Sequence, residues 1–131
     1  MLSPPPLQRP LRPQTVLIVE DDPDLRHIFA DVLFWAGFRV AQTDDGMTAL
    51  RMIEADPPDL LLLDIVLPTL DGLSVRDELA AHAETRDIPV VIVTGAARDF
   101  TWKLRSDDRV LHKPVTPDRL VATIRECLSA V

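Results

Sequence analysis

The chain has 131 residues, with 14 Lys and Arg against 21 Asp and Glu and a formal net charge of −7. This length fits one domain, and 47% hydrophobic residues suffice for a buried core. No apolar run reaches the roughly 20 residues of a membrane-spanning helix, and the first residues lack the pattern of a secretory signal. Because the single cysteine excludes an internal disulfide, we expect a cytoplasmic protein. A net acidic chain without a basic block is a poor candidate for direct nucleic acid binding.

The first 13 residues contain five of the chain's 12 prolines and show no apolar periodicity. This composition is typical of an extended tail, which we favour over a docking peptide. We therefore expect a Pro-rich tail over residues 1–14, one folded domain over residues 15–131 and no output domain.

Short apolar runs alternate with helical periodicity from Thr15 onward. Four-residue apolar runs predict strands buried on both faces of a parallel sheet at residues 16–19, 60–63 and 90–93, with weaker candidates at 38–41 and 110–111. Apolar residues at helical spacing predict a first long helix from Leu25 to Ala36, closed by Gly37, and a last one running from Pro117 to Val131 with Thr116 as N-cap. Shorter helices are predicted near 46–55, 72–83 and 97–104. This alternation predicts a doubly wound α/β domain.

Polar residues end the predicted strands: Glu20, Asp21 and Asp22 the first, Asp64 the third, Thr94 the fourth, and His112 and Lys113 the fifth. Because parallel strands end at one edge of the sheet, these side chains are expected to gather there. Carboxylates that close repel one another unless a cation holds them ionised. Mg²⁺ fits this donor set, whereas the twelve-residue calcium loop is missing from the sequence.

The ordinary role of Asp22, which precedes Pro23, is to cap the first helix, so Glu20 and Asp21 remain for the metal. Asp64 follows four leucines, and a carboxylate beside a metal and a lysine can attack phosphorus to form an aspartyl phosphate. Lys113 and Mg²⁺ would neutralise the phosphoryl oxygens while the Thr94 hydroxyl donates to them. The simpler alternative is that Lys113 only pairs with an acidic edge for stability.

Four segments, TVLIVEDDPDLR, LLLLDIVLPTLDG, IPVVIVTG and HKP, together resemble the receiver domains of bacterial response regulators, over essentially Thr15 to Val131. The resemblance implies a flavodoxin-like fold with strand order 2-1-3-4-5, and a histidine kinase or histidine phosphotransfer protein that phosphorylates Asp64. It also implies that Glu20 and Asp21 form an acidic pair, with Asp21, Asp64 and the Val66 backbone carbonyl on Mg²⁺. Thr94 and Lys113 then resemble the residues that contact the phosphoryl group, and the Lys113–Pro114 bond resembles the family's cis peptide.

Three features depart from the family pattern. Val110 stands where an aromatic switch residue is usual, so we expect signalling through backbone shifts near residues 95–104. The interval from Thr94 to Lys113 is short, which predicts a truncated or irregular fourth helix. Val66 and Ala96 are apolar where a side chain would orient an attacking water, which predicts slow self-dephosphorylation.

Other interpretations remain open. A magnesium-dependent phosphatase of the haloacid dehalogenase type would need a second Asp where Val66 stands, and a phosphorylation-independent scaffold does not explain the complete set of site residues. Strand alternation points His112 away from Lys113, which favours a structural role. His27 and His82 have no companion ligands, and Phe100 and Trp102 are expected to pack in the core rather than anchor a partner.

Overall fold

The computed structural model of the chain describes residues 12–95 and 109–129. Within these residues the chain forms five strands and four helices. In chain order they are β1 (Thr15–Val19), α1 (Pro23–Trp35), β2 (Arg39–Thr43), α2 (Gly46–Ala55), β3 (Leu60–Asp64), α3 (Gly72–Ala81), β4 (Val90–Thr94), β5 (Arg109–His112) and α4 (Pro117–Ser129). The helix predicted near residues 97–104, most of the N-terminal tail, Ala96, Phe100 and Trp102 lie outside the described residues.

The strands form one parallel sheet in the order β2-β1-β3-β4-β5, which confirms the predicted doubly wound topology. Because successive side chains of a strand point to opposite faces, each four-residue apolar run supplies both layers of the core. Ile18 and Leu62 pack on the face covered by α1 and α4, while Leu17 and Leu63 pack on the face covered by α2 and α3. Because all neighbouring strands are parallel, their carboxyl ends lie at the same end of the sheet. In the part of the chain that the structure describes, no helix combines the length and the apolar content of a membrane span.

Side-chain caps fix where the helices begin, as the sequence predicts. Asp22 Oδ1 accepts hydrogen bonds from the backbone N–H groups of Asp24 at 3.0 Å and Leu25 at 3.5 Å, which confirms Asp22 as the N-cap of α1. The Thr116 hydroxyl accepts from Arg119 N at 3.2 Å at the start of α4. The Asp22 carboxylate is engaged by the first turn of α1 and is not part of the cluster formed by Glu20, Asp21 and Asp64.

Several element boundaries differ from the prediction by one or two residues, and hydrogen bonds explain two of these differences. β2 begins at Arg39 rather than Phe38 because Phe38 N donates back to the Leu33 carbonyl in the closing turn of α1, where Gly37 has a φ of 101°. Helix α3 ends at Ala81 rather than residue 83. There the Thr85 hydroxyl donates to the Leu79 carbonyl at 2.7 Å and satisfies one of the last helical carbonyls.

Candidate functional site

Three carboxylates meet at the edge where β1 and β3 end. Glu20 and Asp21 directly follow β1, and Asp64 is the last residue of the adjacent strand β3. Each of these residues offers one carboxylate oxygen, and the three oxygens lie within 4.8 Å of one another. Glu20 and Asp64 are buried, whereas Asp21 is exposed. The structure thus brings together the acidic residues that the sequence predicts for a metal site.

Lys113 supplies the positive charge of this edge. Its Nζ lies 2.9 Å from Glu20 Oε1 and 3.2 Å from Asp64 Oδ2. Burial lowers the pKa of Lys113, but the contacts with Glu20 and Asp64 outweigh burial and raise it above its ordinary value. Lys113 therefore stays protonated at neutral pH and partly compensates two buried carboxylates.

Glu20 is the most strongly perturbed acid of the cluster. Burial raises the pKa of Glu20 to about 7, Lys113 acts against this rise, and the negative charge of Asp64 adds to it. Glu20 Oε2 accepts a 3.2 Å hydrogen bond from Asp22 N, and its backbone carbonyl accepts from Arg26 Nη1 at 2.9 Å. Its other carboxylate oxygen, Oε1, is buried and accepts no hydrogen bond from the described residues, since Lys113 lies at ion-pair distance without hydrogen-bond geometry.

This orphaned oxygen tests whether the donor set fits a divalent cation. Its charged contact is the Lys113 ammonium, which is shared with Asp64, so one positive charge faces three carboxylates, and a divalent cation among them would offset the remaining negative charge. Carboxylate oxygens in an open cluster are the ligands that Mg²⁺ prefers, with water or phosphate oxygens completing its shell. The residues present therefore fit Mg²⁺.

The loop between β3 and α3 is held at both of its ends. Asp64 Oδ1 accepts from Val66 N at 3.3 Å, and Gly72 N donates to the Ile65 carbonyl at 2.8 Å. Gly72 sits so close to the Asp64 carbonyl that a Cβ would overlap it. Thr69, which adopts a φ of 65°, donates from its hydroxyl to Asp45 Oδ1 at 3.3 Å and so ties the loop to the start of α2. Val66, whose carbonyl is an expected ligand, is thereby positioned beside Asp64.

Sequence reasoning did not identify Gly72, Thr69, Asp45 or Arg26 as supports of this site. The only sequence signal was the Asp71-Gly72 pair, which is typical of a helix start. Asp71 indeed accepts from Ser74 N at 2.9 Å as the N-cap of α3. The close approach of Gly72 to the Asp64 carbonyl depends on how the intervening loop folds back onto the end of β3, which no local sequence pattern indicates.

Thr94 lies beside the acidic cluster in the sheet. It is buried and ends β4, one residue after Val93, which is paired in register with Asp64. The Thr94 carbonyl accepts from Lys113 N at 2.9 Å, so the ends of β4 and β5 are joined next to the site. The Lys113–Pro114 peptide bond is cis, as the resemblance implied.

The remaining residues singled out in the sequence lie around the cluster or away from it. Val66 is 65% exposed, and Val110 is half-buried against the core layer under α2 and α3. His112 is exposed and does not join the ligand cluster of the described residues. His82 pairs instead with Glu78 on α3 at 2.9 Å, and His27 is exposed on α1.

Comparison with known proteins identifies relatives of this chain among response regulators. The chain is 34% identical over 119 residues to polar-differentiation response regulator DivK of Brucella anthropi, a match that covers 88% of this chain and 97% of DivK. It is 35% identical over 118 residues to response regulator MprA of Mycobacterium ulcerans, which covers 86% of this chain but 49% of MprA, so the chain spans about half the length of that relative.

A solved structure with the same fold is described with a metal ion in its active site. The receiver domain of sensor histidine kinase PA1611 from Pseudomonas aeruginosa PAO1, described with a magnesium ion coordinated in its active site cleft, has a TM-score of 0.82 and 29% identity. The match covers 89% of this chain and 98% of that domain. The family model of the response regulator receiver domain matches residues 16–125, and the chain belongs to this family.

Proposed function

We propose that this receiver domain accepts a phosphoryl group on Asp64 from a histidine kinase or histidine phosphotransfer protein in a Mg²⁺-dependent reaction. Its phosphorylated state would then be passed on by contact with another protein. The observation that carries the proposal is the position of Asp64. This carboxylate ends β3 with Lys113 Nζ at 3.2 Å and with the Glu20 and Asp21 carboxylates within 4.8 Å.

Glu20, Asp21 and Asp64 would hold the cation, together with the Val66 carbonyl that the family resemblance implies. The orphaned Glu20 Oε1 and the choice of oxygen donors support this assignment. When bound, Mg²⁺ supplies positive charge to the oxygens of the transferring phosphoryl group.

The chain's own residues position the acceptor and compensate its charge. In the transfer, a carboxylate oxygen of Asp64 forms a bond to phosphorus, while the phosphorus–nitrogen bond of the donor phosphohistidine breaks and its electron pair returns to the imidazole. The Lys113 ammonium beside Asp64 would form an ion pair with the phosphoryl oxygens once they are attached. The Thr94 hydroxyl at the end of β4 would donate a hydrogen bond to one of these oxygens. Apart from self-phosphorylation and self-dephosphorylation, we propose no enzymatic activity.

Incubation with acetyl phosphate and Mg²⁺, followed by mass spectrometry of the intact chain, tests the proposal. We expect one phosphoryl adduct on the wild type, none on Asp64→Asn, and none on the wild type when EDTA replaces Mg²⁺. Asp24→Asn is a matched control, because Asp24 is an exposed acid in the first turn of α1 outside the cluster. An adduct on Asp64→Asn, with its melting temperature unchanged, would place the acceptor elsewhere.

The alternatives make different predictions in the same assay. A phosphorylation-independent scaffold would leave the folded wild type unmodified. A haloacid dehalogenase type phosphatase would turn over the phosphodonor continuously, which requires a general acid two residues after the nucleophile. That position holds Val66, whose side chain cannot exchange a proton.

A further inference from the structure

Helices α2 and α3 leave a groove between their C-terminal halves, on the opposite end of the domain from the acidic cluster. The groove has a volume of about 480 Å³. Apolar side chains of Leu50, Ile53 and Leu79 form its floor, and Pro57 lies at its end. These residues belong to or border the core layer under α2 and α3, so the groove continues the apolar core toward the surface.

The rim of this groove is acidic. Glu54, Glu78 and Glu84 line it, and among the residues that the structure describes no lysine or arginine does. His82 also lines the groove, and its pKa is raised by the hydrogen bond to Glu78 and further by the charges of Glu78, Glu84 and Glu54. An apolar floor with an acidic rim is complementary to a segment that carries aliphatic side chains and a cation.

Residues 1–11 have this chemistry. Their sequence, MLSPPPLQRPL, contains three leucines, four prolines and Arg9, and no acidic residue. Proline-rich segments lose little conformational entropy when they bind, because they are already restricted before contact.

The structure also shows where this segment joins the domain. Arg12 Nη1 lies 3.7 Å from Asp59 Oδ2, and the same carboxylate oxygen accepts from Thr15 N at 2.7 Å. Asp59 follows Pro57 by two residues, so the chain enters β1 beside the end of the groove. Three extended residues span at most about 10 Å, so Arg9 stays within about that distance of Arg12 and of the chain entry beside Pro57.

We propose that residues 1–11 of this chain dock in the α2–α3 groove, with leucine side chains on the apolar floor and Arg9 at the glutamate rim. A tethered segment has an effective concentration of about a millimolar, so an intrinsic dissociation constant of that order keeps it docked roughly half of the time. The docked segment would cover the accessible surface of Leu50 and Pro57, above the buried Ile53, and leave the phosphorylation edge open.

Paramagnetic NMR on the full chain tests this docking. A nitroxide on Ser3→Cys should strongly attenuate the Ile53 methyl signal, because docking of millimolar affinity exchanges fast and the paramagnetic relaxation rate is averaged over docked and free chains. The Ile28 methyl on α1 should keep its intensity, although Ile28 is 54% exposed and so more accessible to random contact. Cys127 is buried, and the mass of the labelled chain verifies that a single nitroxide is attached.

Exchanging the charges of Arg9 and the rim glutamates distinguishes specific docking from random contact of the tethered segment with the domain. Arg9→Glu should restore the Ile53 intensity, and adding Glu54→Arg and Glu78→Arg to that variant should reduce the signal again. Equal signal loss at Ile53 and Ile28, no loss at either, or insensitivity to Arg9→Glu would each overturn the proposal. So would a loss that appears only when labelled and unlabelled chains are mixed, because the occupant would then be a second copy.

Discussion

Replacing Gly72 by alanine tests how the loop beside Asp64 is held. A Cβ on Gly72 would overlap the Asp64 carbonyl oxygen and lie 2.8 Å from Ile65 Cα, whereas ordinary contacts of a Cβ begin at 3.4 Å. The neighbours are backbone atoms that cannot rotate away. The strand end or the start of α3 must therefore shift, which lengthens the 2.8 Å hydrogen bond from Gly72 N to the Ile65 carbonyl.

The size of the effect follows from three contributions. Overpacking a well-packed site costs about 1–3 kcal/mol, and a weakened backbone hydrogen bond adds about 0.5–1.5 kcal/mol. Alanine returns about 0.4–1 kcal/mol because it restricts the unfolded chain. Together these contributions lead us to expect that Gly72→Ala lowers the free energy of unfolding by about 0.5–4 kcal/mol.

Urea unfolding of the wild type, Gly72→Ala and Gly95→Ala measures this difference. Gly95 is the matched control, since a Cβ there would meet its nearest atoms, in Lys113, at 3.7 and 3.9 Å, which is ordinary contact. Gly95→Ala should be as stable as the wild type or more stable by up to about 1 kcal/mol, because alanine restricts the unfolded chain without a steric conflict in the fold. Calorimetric titration should also show weaker Mg²⁺ binding by Gly72→Ala, because the displaced loop carries the Val66 carbonyl. A Gly72→Ala chain as stable as the wild type would refute the steric argument.

Three further predictions concern the site. The pKa of Glu20, raised to about 7 by burial, lies above its ordinary 4.5, so the contribution of Glu20 to stability is complete below pH 4.5 and is lost as the pH rises through 7. Urea unfolding in EDTA should show that the free energy of unfolding of the wild type falls between pH 4.5 and 8 by on the order of 3 kcal/mol more than that of Glu20→Gln. Parallel curves of unfolding free energy against pH for the two proteins would contradict this. Val66→Asn, which places an amide beside Asp64, should release phosphate on the order of tenfold faster than the wild type, whereas Val66→Ala should not. Equal rates for Val66→Asn and the wild type in a phosphate-release assay would exclude the idea that the apolar side chain slows self-dephosphorylation. Structures with and without a phosphoryl mimic should show no large rotation of Val110, and a rotation coupled to Thr94 would disprove signalling by backbone shifts.

The fold was predictable where one local pattern determined an element. Apolar runs such as residues 60–63 are buried on both faces of the sheet, and Asp22 and Thr116 cap the helices that the periodicity predicts. The start of β2 was not predictable. Phe38 is apolar like a strand residue, but its N–H is used by the closing turn of α1, and only Arg39 reaches β1.

The sequence predicted which residues form the site, but not how burial would perturb them. Strand ends placed Glu20, Asp21 and Asp64 at one edge because the topology of parallel sheets requires it. The raised pKa of Glu20 and its orphaned oxygen depend on how deeply the surrounding elements bury this residue, which no short stretch of sequence encodes. The same holds for the support that Gly72 and Thr69 give to the Asp64 loop.

The contact of Lys113 with both buried carboxylates has a consequence for the order in which the protein is made. Glu20 and Asp64 emerge early in synthesis, and their countercharge comes from a residue 49 positions after Asp64. Until that residue leaves the ribosome, the edge of a nascent sheet carries acidic groups that repel one another. Phosphoryl transfer to Asp64 should therefore become possible late in synthesis, when the fifth strand joins the sheet and Lys113 reaches both carboxylates.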